Sequence, residues 1–320
     1  MSSTSATVIV PSRGPARLRR LLDSLAVQTV EHETLVIDNG SEGSAVSRLA
    51  EEHGARSIRL DRNEGFSIPV NRAAEQASGD ALVLVNDDCV VEADFVERLA
   101  GALDPTASVV MAAGALRDVR RPDLIDTAGM ELDRTMLVFD YLNGMPVAGL
   151  ESAPGPIGPS AAAAAFDRSA FLAEGGFDER LFAYWEDVDL VLRLRLAGGL
   201  CAGATAIGGT HEHSATLGPG SAEKNRLMGY GRAYLLRKWG VVEPSRLASI
   251  ATRDLILLFG QVIVDRNVAG VGGRLAGWKE ATREQAYPEA VLAHGRGAGV
   301  AMTMRRRYAR RRRLRSKAAG

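Results

Sequence analysis

The chain has 320 residues, of which 46% are hydrophobic and 24% charged, and its 39 basic residues balance its 39 acidic residues. This composition excludes a largely disordered chain, and the presence of only two cysteines, Cys89 and Cys201, excludes a disulfide-stapled scaffold. The cysteine surroundings predict buried free thiols, and the length predicts one large α/β domain with an appendage or two smaller domains.

The first hundred residues alternate between two patterns in chain order. Short Val- and Ile-rich runs without polar alternation predict strands buried on both faces, as in a parallel sheet, and helical patterns follow each of them. The predicted strands are 6–10, 34–37, 57–60 and 81–85, and the predicted helices are 16–27, 45–53, 68–77 and 94–103. In a sheet of this kind ligands bind where the strands end, so the candidate site lies there.

The later chain is less regular at first. Residues 104–160 are rich in Pro and Gly and predict loop or irregular sheet. An amphipathic helix is predicted over 186–197, ended by Gly198 and Gly199, and further helical patterns cover 222–239 and 245–265 before a Gly-rich 269–273.

No segment is predicted to be a signal peptide or a membrane span. The first ten residues lack a basic region followed by a long apolar stretch, and charge interrupts the longest apolar runs, such as 255–264, after about ten residues. We therefore expect a cytoplasmic protein, soluble or peripheral at the inner face of the plasma membrane.

The zero net charge hides an asymmetry. Residues 301–320 carry nine basic residues and no acidic one, so the first 300 residues hold 30 basic against 39 acidic groups. Such a block is either a solvated terminus, a ligand for an anionic membrane surface or a nucleic-acid contact. Because only Tyr308 could stack on bases, we favour the membrane and expect no specific nucleic acid.

Acidic residues mark two candidate sites. Asn86, Asp87 and Asp88 follow a predicted buried strand, and Glu186, Asp187 and Asp189 surround a predicted helix start. Carboxylates are the ligands that Mg²⁺ and Mn²⁺ prefer next to a phosphate, although turn and helix-start residues of this type are also common for structural reasons. His211 and His213 follow a predicted strand of small residues and are further candidate ligands.

These segments together resemble a family 2 glycosyltransferase of the GT-A type, and within it the bacterial rhamnosyltransferase-like branch. The similar segments are VIVPSRG (8–14), TLVIDNGS (34–41), RNEGFSIPVNRAAEQASGDALVLVNDD (62–88) and GGFDERLFAYWEDVDLVLRLRLAG (175–198), followed by His211. They cover about residues 6 to 215. The resemblance implies a Rossmann-like, mainly parallel sheet flanked by helices, with a helical C-terminal appendage.

The resemblance also implies a donor pocket. Its residues would be Pro11, Ser12, Arg13, Asp38, Asn63, Gly65, Phe66, Asn71, Asn86 and Asp87. Asp38 would accept a hydrogen bond from the base, and Gly65 would allow close backbone approach. Asn86 stands where the family's DxD-like motif has its first acid, which implies a weaker contact there.

The same resemblance assigns the chemistry. Asp88 and His211 would bind the divalent cation, Mg²⁺ or Mn²⁺, and Asp187 in the acidic ED motif would be the general base that takes a proton from the acceptor hydroxyl. Residues 175–179 would form the floor below the acceptor, and Arg232 would reach a phosphate or lie on the surface. The implied activity is metal-dependent, inverting transfer from a nucleotide-diphosphate sugar, with dTDP-rhamnose the first guess.

Two other functions stay open at this point. A sugar-phosphate nucleotidyltransferase would need a Gly-rich basic loop after the first strand, and PSRGPAR has one Gly and two Arg. A non-catalytic adaptor would use the basic tail. The acceptor is a lipid-linked glycan, another glycan or a small molecule, and the expected divisions are a nucleotide-binding half (1–105), an acceptor half (106–215), a helical region (216–300) and the tail (301–320).

Overall fold

The computed structural model describes residues 5–212, 218 and 220–285. Their strands are β1 Ala6–Ser12, β2 Glu33–Asn39, β3 Arg56–Leu60, β4 Ala81–Val85, β5 Cys89–Val91, β6 Val109–Ala113, β7 Ala115–Asp118, β8 Arg121–Thr127, β9 Met130–Leu132, β10 Val138–Asp140, β11 Ala163–Asp167, β12 Leu200–Ala202 and β13 Ile207–His211. Their α-helices are α1 Pro15–Leu25, α2 Ala45–Glu52, α3 Ser67–Gln76, α4 Phe95–Gly101, α5 Arg168–Ala173, α6 Glu186–Leu196, α7 Ala222–Lys238, α8 Pro244–Gly260 and α9 Ala269–Glu280.

A seven-stranded sheet forms the centre of the molecule, in the order β12-β6-β11-β4-β1-β2-β3. Strands β4, β1, β2 and β3 are parallel, and β11 runs antiparallel to both β4 and β6. The eight elements predicted in the first hundred residues are all present. Strands beyond residue 105 also join this sheet, so the predicted nucleotide-binding and acceptor halves share one sheet.

The core lies on both faces of this sheet. Val8 and Val10 of β1 pack with α1, α2 and α4, whereas Ile9 of the same strand packs on the opposite face with α3, α5 and α6. Because both faces are covered, every residue of β4 is apolar and buried. This burial is the reason why the runs 6–10 and 81–85 lack polar alternation.

The region predicted as loop or irregular sheet, 104–160, contains short strands. A second sheet has the order β5-β13-β7-β8, and β9 pairs with β10. In the second sheet His211 pairs across the antiparallel ladder with Cys89, which follows the Asn86–Asp88 segment. The four-stranded sheet thereby brings the end of β13 beside the end of β4.

Three helices, α7 to α9, form the C-terminal region of the described chain. Helix α9 covers the Gly-rich segment, which the sequence did not predict as a helix. Its glycines pack against α7 so closely that a Cβ on Gly273 would lie 2.0 Å from the Arg226 carbonyl oxygen. Close backbone packing therefore explains why a helix is built from residues of low helix propensity.

The expectation that no segment could span a membrane is wrong. Helix α8 continues through a wider turn to Asp265, and the 22 residues Pro244–Asp265 are long and apolar enough to cross a bilayer, by length and composition. Only 6% of the most apolar window is buried. The run 255–264 is only the last part of this helix, which begins eleven residues earlier, at Pro244.

Candidate active site

The ends of β1 and β4 meet at one edge of the sheet. Ser12 at the end of β1 is buried, and its hydroxyl donates to Oδ2 of Asp87 at 2.6 Å. Burial raises the pKa of Asp87, and the nearby Asp88 adds to this effect, although the Ser12 hydrogen bond opposes it. Ser12 and Asp87, which were both predicted to line the pocket for the nucleotide-sugar donor, are therefore in direct contact.

Asp88 and His211 form a compact pair. Nε2 of His211 lies 3.2 Å from Oδ1 of Asp88, and Nδ1 lies 2.8 Å from Oδ2 of Asp126 on β8. Burial alone lowers the pKa of His211, but its contacts with Asp126 and Asp88 outweigh this effect and raise the pKa to about 10. The imidazole is thus held between two carboxylates.

The donor set fits a divalent cation. Ligand atoms of Asp88, Cys89 and His211 lie within 4.8 Å of one another. Oδ1 of Asp88 is buried and makes no hydrogen bond of good geometry within the described residues; its neighbour is Nε2 of His211 at 3.2 Å, so two candidate ligand atoms face one another. Cys89 is a poor ligand, because burial raises the pKa of its thiol well above the ordinary value and hard cations prefer oxygen. His213 lies outside the described residues.

The predicted base lies at the start of α6. The carboxylate of Asp187 accepts hydrogen bonds from the amides of Ala161, at 3.2 Å, and Val188, at 2.8 Å. Burial raises the pKa of Asp187 to about 6, although these two amides oppose the rise. A partly exposed carboxylate with a pKa near neutrality has the properties of a general base.

The turn before α6 is strained. Tyr184 and Trp185 have φ values of 69° and 78°, so two successive non-glycine residues adopt left-handed backbone conformations. Packing holds them there: Trp185 lies against Gly231, and its indole donates to the Met228 carbonyl at 3.1 Å. Strain of this kind is often found at functional sites, and here it sets the direction in which α6 begins.

A short segment connects the two acidic sites. Ala161 donates its amide to Asp187, and the next residue, Ala162, accepts a hydrogen bond from the Asn86 amide at 3.3 Å. Two hydrogen bonds, through the adjacent residues Ala161 and Ala162, therefore link the Asp187 side chain to the Asn86–Asp88 segment. The structure brings the predicted base and the predicted metal ligands to one edge of the sheet.

The other acids at the start of α6 have different surroundings. Asp189 is fully buried and accepts from Arg193, Lys238 and the Trp239 indole. Glu186 is also buried, and its Oε2 has no hydrogen-bond partner among the described residues. Burial, together with the adjacent Asp187, raises the pKa of Glu186 well above the ordinary value.

Asp38 differs from its predicted role. Its carboxylate is fully buried and accepts from the amides of Ser41 and Ser47, from the Ser47 hydroxyl and from Arg59. Burial alone raises the pKa of Asp38, but these hydrogen bonds outweigh it and lower the pKa. In this conformation Asp38 stabilises the turn after β2 and offers no exposed oxygen to a nucleotide base.

The segment after β3 also contacts protein where we expected nucleotide. A Cβ on Gly65 would lie 2.0 Å from the Phe182 carbonyl oxygen, so its close approach is to the chain. Asn71 exchanges two hydrogen bonds with the Phe177 backbone, and the Phe66 ring lies 6.0 Å from the Phe177 ring. These residues hold the 177–182 loop. The Asn63 side chain accepts from the Gly65 amide and from Asn39, and so shapes the same turn.

The remaining donor candidates lie at the same edge of the sheet. Pro11 is a partly buried residue of β1, Arg13 is exposed directly after it, and Asn86 is partly exposed after β4.

Arg232 lies away from this edge. Its side chain is 1% exposed, with Nε 2.9 Å from Asp254 and Nη1 bonded to the carbonyls of Thr135 and Met136. Both predicted alternatives for Arg232, a phosphate contact and a surface position, are therefore wrong. The ion pair and hydrogen bonds of Arg232 attach α8 to the body of the protein.

Sequence reasoning missed two charged residues of the site. Asp126 lies in a strand without a motif, and only the folded chain places it beside His211. Arg17, in the first turns of α1, is close enough to lower the pKa values of Asp87 and Asp88. Its position directly after the PSRGP loop was the one available signal.

The predicted acceptor floor is held by a buried ion cluster. Asp178 accepts from Lys238 at 2.7 Å and from the Tyr234 hydroxyl at 2.8 Å, and Lys238 also lies 3.0 Å from Asp189. Burial alone raises the pKa of Asp178, but Arg180 and Lys238 outweigh this and hold it well below the ordinary range. Helix α7 therefore positions the 175–180 loop against α6.

Solved structures share this fold. A mannosyltransferase from Pyrobaculum calidifontis, PcManGT in complex with GDP-Man and Mn²⁺, superposes with a TM-score of 0.53 at 16% identity, covering 92% of this chain and 80% of that one. Residues 1–349 of S. aureus TarS give a TM-score of 0.51 at 17% identity, covering 90% and 82%. The architecture is the predicted GT-A fold with C-terminal helices.

Sequence comparison identifies relatives with named activities. An N-acetylglucosaminyl-diphospho-decaprenol L-rhamnosyltransferase of Mycobacterium tuberculosis is 31% identical, over 59% of this chain and 69% of the relative. The O-antigen biosynthesis protein RfbC of Myxococcus xanthus is 28% identical, over 60% of this chain and 16% of the relative. Residues 7–126 match the model of the family described as Glycosyl transferase family 2. The chain belongs to glycosyltransferase family 2, in agreement with the resemblance of its motifs to the rhamnosyltransferase-like branch, and it is a glycosyltransferase rather than a nucleotidyltransferase or a non-catalytic adaptor.

Proposed function

We propose that this glycosyltransferase moves L-rhamnose from dTDP-rhamnose to a hydroxyl of a lipid-linked sugar in cell-envelope synthesis, with inversion at the anomeric carbon and with a divalent cation. The observation that carries the proposal is the position of Asp187, which two hydrogen bonds link to the Asn86–Asp88 segment. The rhamnosyltransferase relative, whose printed name gives a decaprenyl-diphosphate-linked acceptor, supports the sugar and the acceptor class.

Asp187 is the group we assign to proton removal. As the acceptor oxygen bonds to the anomeric carbon, the bond from that carbon to the diphosphate breaks and the hydroxyl proton passes to a carboxylate oxygen of Asp187. The Ala161 and Val188 amides hold this carboxylate in place, so little reorganisation is needed before the proton is taken. The nucleoside diphosphate then leaves with the bonding electron pair.

The leaving diphosphate needs positive charge. Asp88 Oδ1 and His211 Nε2 would hold the cation, and Asp126 would orient the imidazole through Nδ1. When bound, the cation supplies charge that stabilises the diphosphate as it departs. Arg17 lies within electrostatic reach of Asp87 and Asp88 and adds positive charge to the same place.

The experiment is a transfer assay with purified full-length protein. The donors are dTDP-rhamnose and matched UDP- and GDP-sugars, the acceptor is a short-chain N-acetylglucosaminyl-diphospho-prenol, and mass spectrometry detects the product. We expect product with dTDP-rhamnose and Mn²⁺, loss of product with EDTA, and a large loss with Asp187→Asn.

Three results would contradict the proposal. Transfer from a UDP- or GDP-sugar in preference to dTDP-rhamnose would contradict the proposed donor. Full activity in EDTA would contradict the proposed need for a divalent cation. Absence of transfer with the prenyl-linked acceptor, together with transfer to a soluble sugar, would replace the acceptor class.

A further inference from the structure

We infer that α8 and α9 form a surface that inserts into the headgroup region of an anionic lipid bilayer. This surface attaches the enzyme to the membrane without crossing it. The surface, called here the C-terminal apolar surface, consists of exposed apolar residues on both helices and on the chain that joins them: Leu255, Phe259, Val262, Ile263, Val268, Val271, Leu275 and Trp278. Nothing in the proposed donor, acceptor or cation is needed for this inference.

Helix α9 buries its small residues and exposes its large apolar residues, which is the reverse of a surface helix in a water-soluble protein. Gly273 and Gly277 face α7, Gly270 lies against the Gln261 side chain, and all three are buried, whereas Val271, Leu275 and Trp278, spaced at i, i+4 and i+7, are exposed. A helix at the surface of a soluble domain buries its large apolar residues instead. Small residues inside and large apolar residues outside are the pattern expected where lipid is the solvent.

Helix α8 continues this surface. Phe259 is 69% exposed and Leu275 of α9 is 70% exposed. The two helices touch at two points, where Asp254 is 3.2 Å from Arg274 and the Gln261 side chain lies against Gly270. An exposed apolar patch shared by two neighbouring helices marks an interaction surface.

Ion pairs to the body oppose a spanning orientation of α8. Arg253 lies 2.7 Å from Asp133, and Asp254 lies 2.9 Å from the buried Arg232. Asp265 at the other end accepts from Asn225 at 3.0 Å. Crossing a bilayer would break these contacts and place unpaired charges in hydrocarbon, whereas lying along the surface keeps them.

Charge favours an anionic lipid surface over a protein partner or a second copy. The chain beyond residue 300 carries nine basic residues and no acidic one, and it follows α9 after only about twenty residues. Trp278 lies beneath the Arg237 guanidinium, 5.6 Å from the ring centroid, which pairs an aromatic ring with a cation as at membrane–water interfaces. An apolar surface followed in sequence by a polybasic segment gives two signals for the same membrane.

The test measures binding of full-length protein to vesicles that contain neither donor nor acceptor. Trp185 and Trp239 are buried and Trp278 is exposed, so fluorescence quenching by brominated lipid reports on Trp278. We expect sedimentation with vesicles containing phosphatidylglycerol, quenching of the Trp278 emission, and persistence of that quenching at about 0.5 M salt, where electrostatic attraction alone is screened.

Matched variants test the surface itself. Phe259→Glu and Leu275→Glu should each weaken vesicle binding at least about tenfold. Val27→Glu, at a residue that is 65% exposed on another part of the protein, should bind as the wild type does. Activity on a soluble acceptor analogue should be unchanged in all three variants, so a failure of membrane binding is distinguishable from a failure of the proposed function.

Four results would overturn the inference. Unchanged vesicle binding in Phe259→Glu and Leu275→Glu, or complete release of the protein by salt, would mean that electrostatic attraction between the basic tail and the lipid accounts for all of the binding. Resistance of the bound protein to alkaline carbonate would mean that α8 spans the bilayer. Failure to bind vesicles, with a solution dimer that Phe259→Glu dissociates, would assign the surface to a second copy.

Discussion

Asp126 and His211 are separated by 85 residues, yet Oδ2 of Asp126 lies 2.8 Å from Nδ1 of His211. This contact directs Nε2 toward Asp88, at 3.2 Å. A histidine ligand is usually oriented in this way, by a carboxylate on its other ring nitrogen. Asp126 is therefore a positioning residue for the candidate cation site.

The contact predicts a graded loss of metal affinity. Asp126→Asn should weaken Mn²⁺ binding about 10- to 100-fold, because the imidazole loses the partner that orients it and increases its basicity. His211→Ala should weaken binding further. Isothermal titration with Mn²⁺ measures both effects. Asp123→Asn, at an exposed position of the same strand, is the matched control. Equal Mn²⁺ affinity in all variants would show that Asp126 and His211 do not form a cation site.

Asp187 should be separable from its acidic neighbours. Asp187→Asn keeps size but cannot take a proton, so single-turnover transfer should fall about 10²- to 10⁴-fold while donor affinity changes little. Glu186→Gln should cost less. Asp189→Asn should act through stability, because Asp189 binds Lys238, Arg193 and Trp239 in the core. Near-normal turnover in Asp187→Asn would assign the base to another group.

The raised pKa of Asp187 predicts a pH profile. The base must be ionised to act, and burial raises its pKa to about 6, so kcat/KM should reach half its maximum near pH 6 and level off about one pH unit above that. An unperturbed aspartate would already be fully ionised at pH 5. Steady-state rates between pH 5 and 8 check this, with donor affinity measured in parallel. A profile that is flat from pH 5 would contradict the assignment.

Two adjacent glycines of α9 should respond in opposite ways to the same substitution. Gly273→Ala places a Cβ 2.0 Å from the Arg226 carbonyl oxygen, so it should destabilise the protein by about 1–3 kcal/mol. Gly272→Ala meets nothing within 4 Å and should stabilise the helix by about 0.5–1 kcal/mol. Urea denaturation gives both values. Equal stability in the two variants would show that α9 does not pack on α7 as described.

Local patterns determined much of the fold. The strands β1 to β4 were predictable because burial on both faces requires continuous apolar runs, and the helices between them because their apolar residues recur with helical spacing. The acidic segments Asn86–Asp88 and Glu186–Asp189 were predictable as candidate sites because carboxylates follow a strand or begin a helix there. Glycosyltransferase family 2 membership followed from the order and spacing of the same segments.

Long-range contacts decided the rest. The contact of Asp38 with Arg59 and that of Asn71 with the Phe177 backbone depend on packing between segments far apart in the chain. The same reason applies to Asp126, which has no local pattern and acquires a role only beside His211.

The sequence by itself determined the chain's family, its central strands and the acidic residues on which its chemistry depends, because these are written in local order and spacing. Only the tertiary structure decided which acids are buried, which histidine nitrogen faces Asp88 and which face of α9 is exposed. The glycines of α9 are the clearest case. The Gly-rich segment carried no helical pattern, yet Gly273 and Gly277 lie in a helix in which α7 comes too close for a side chain at either position.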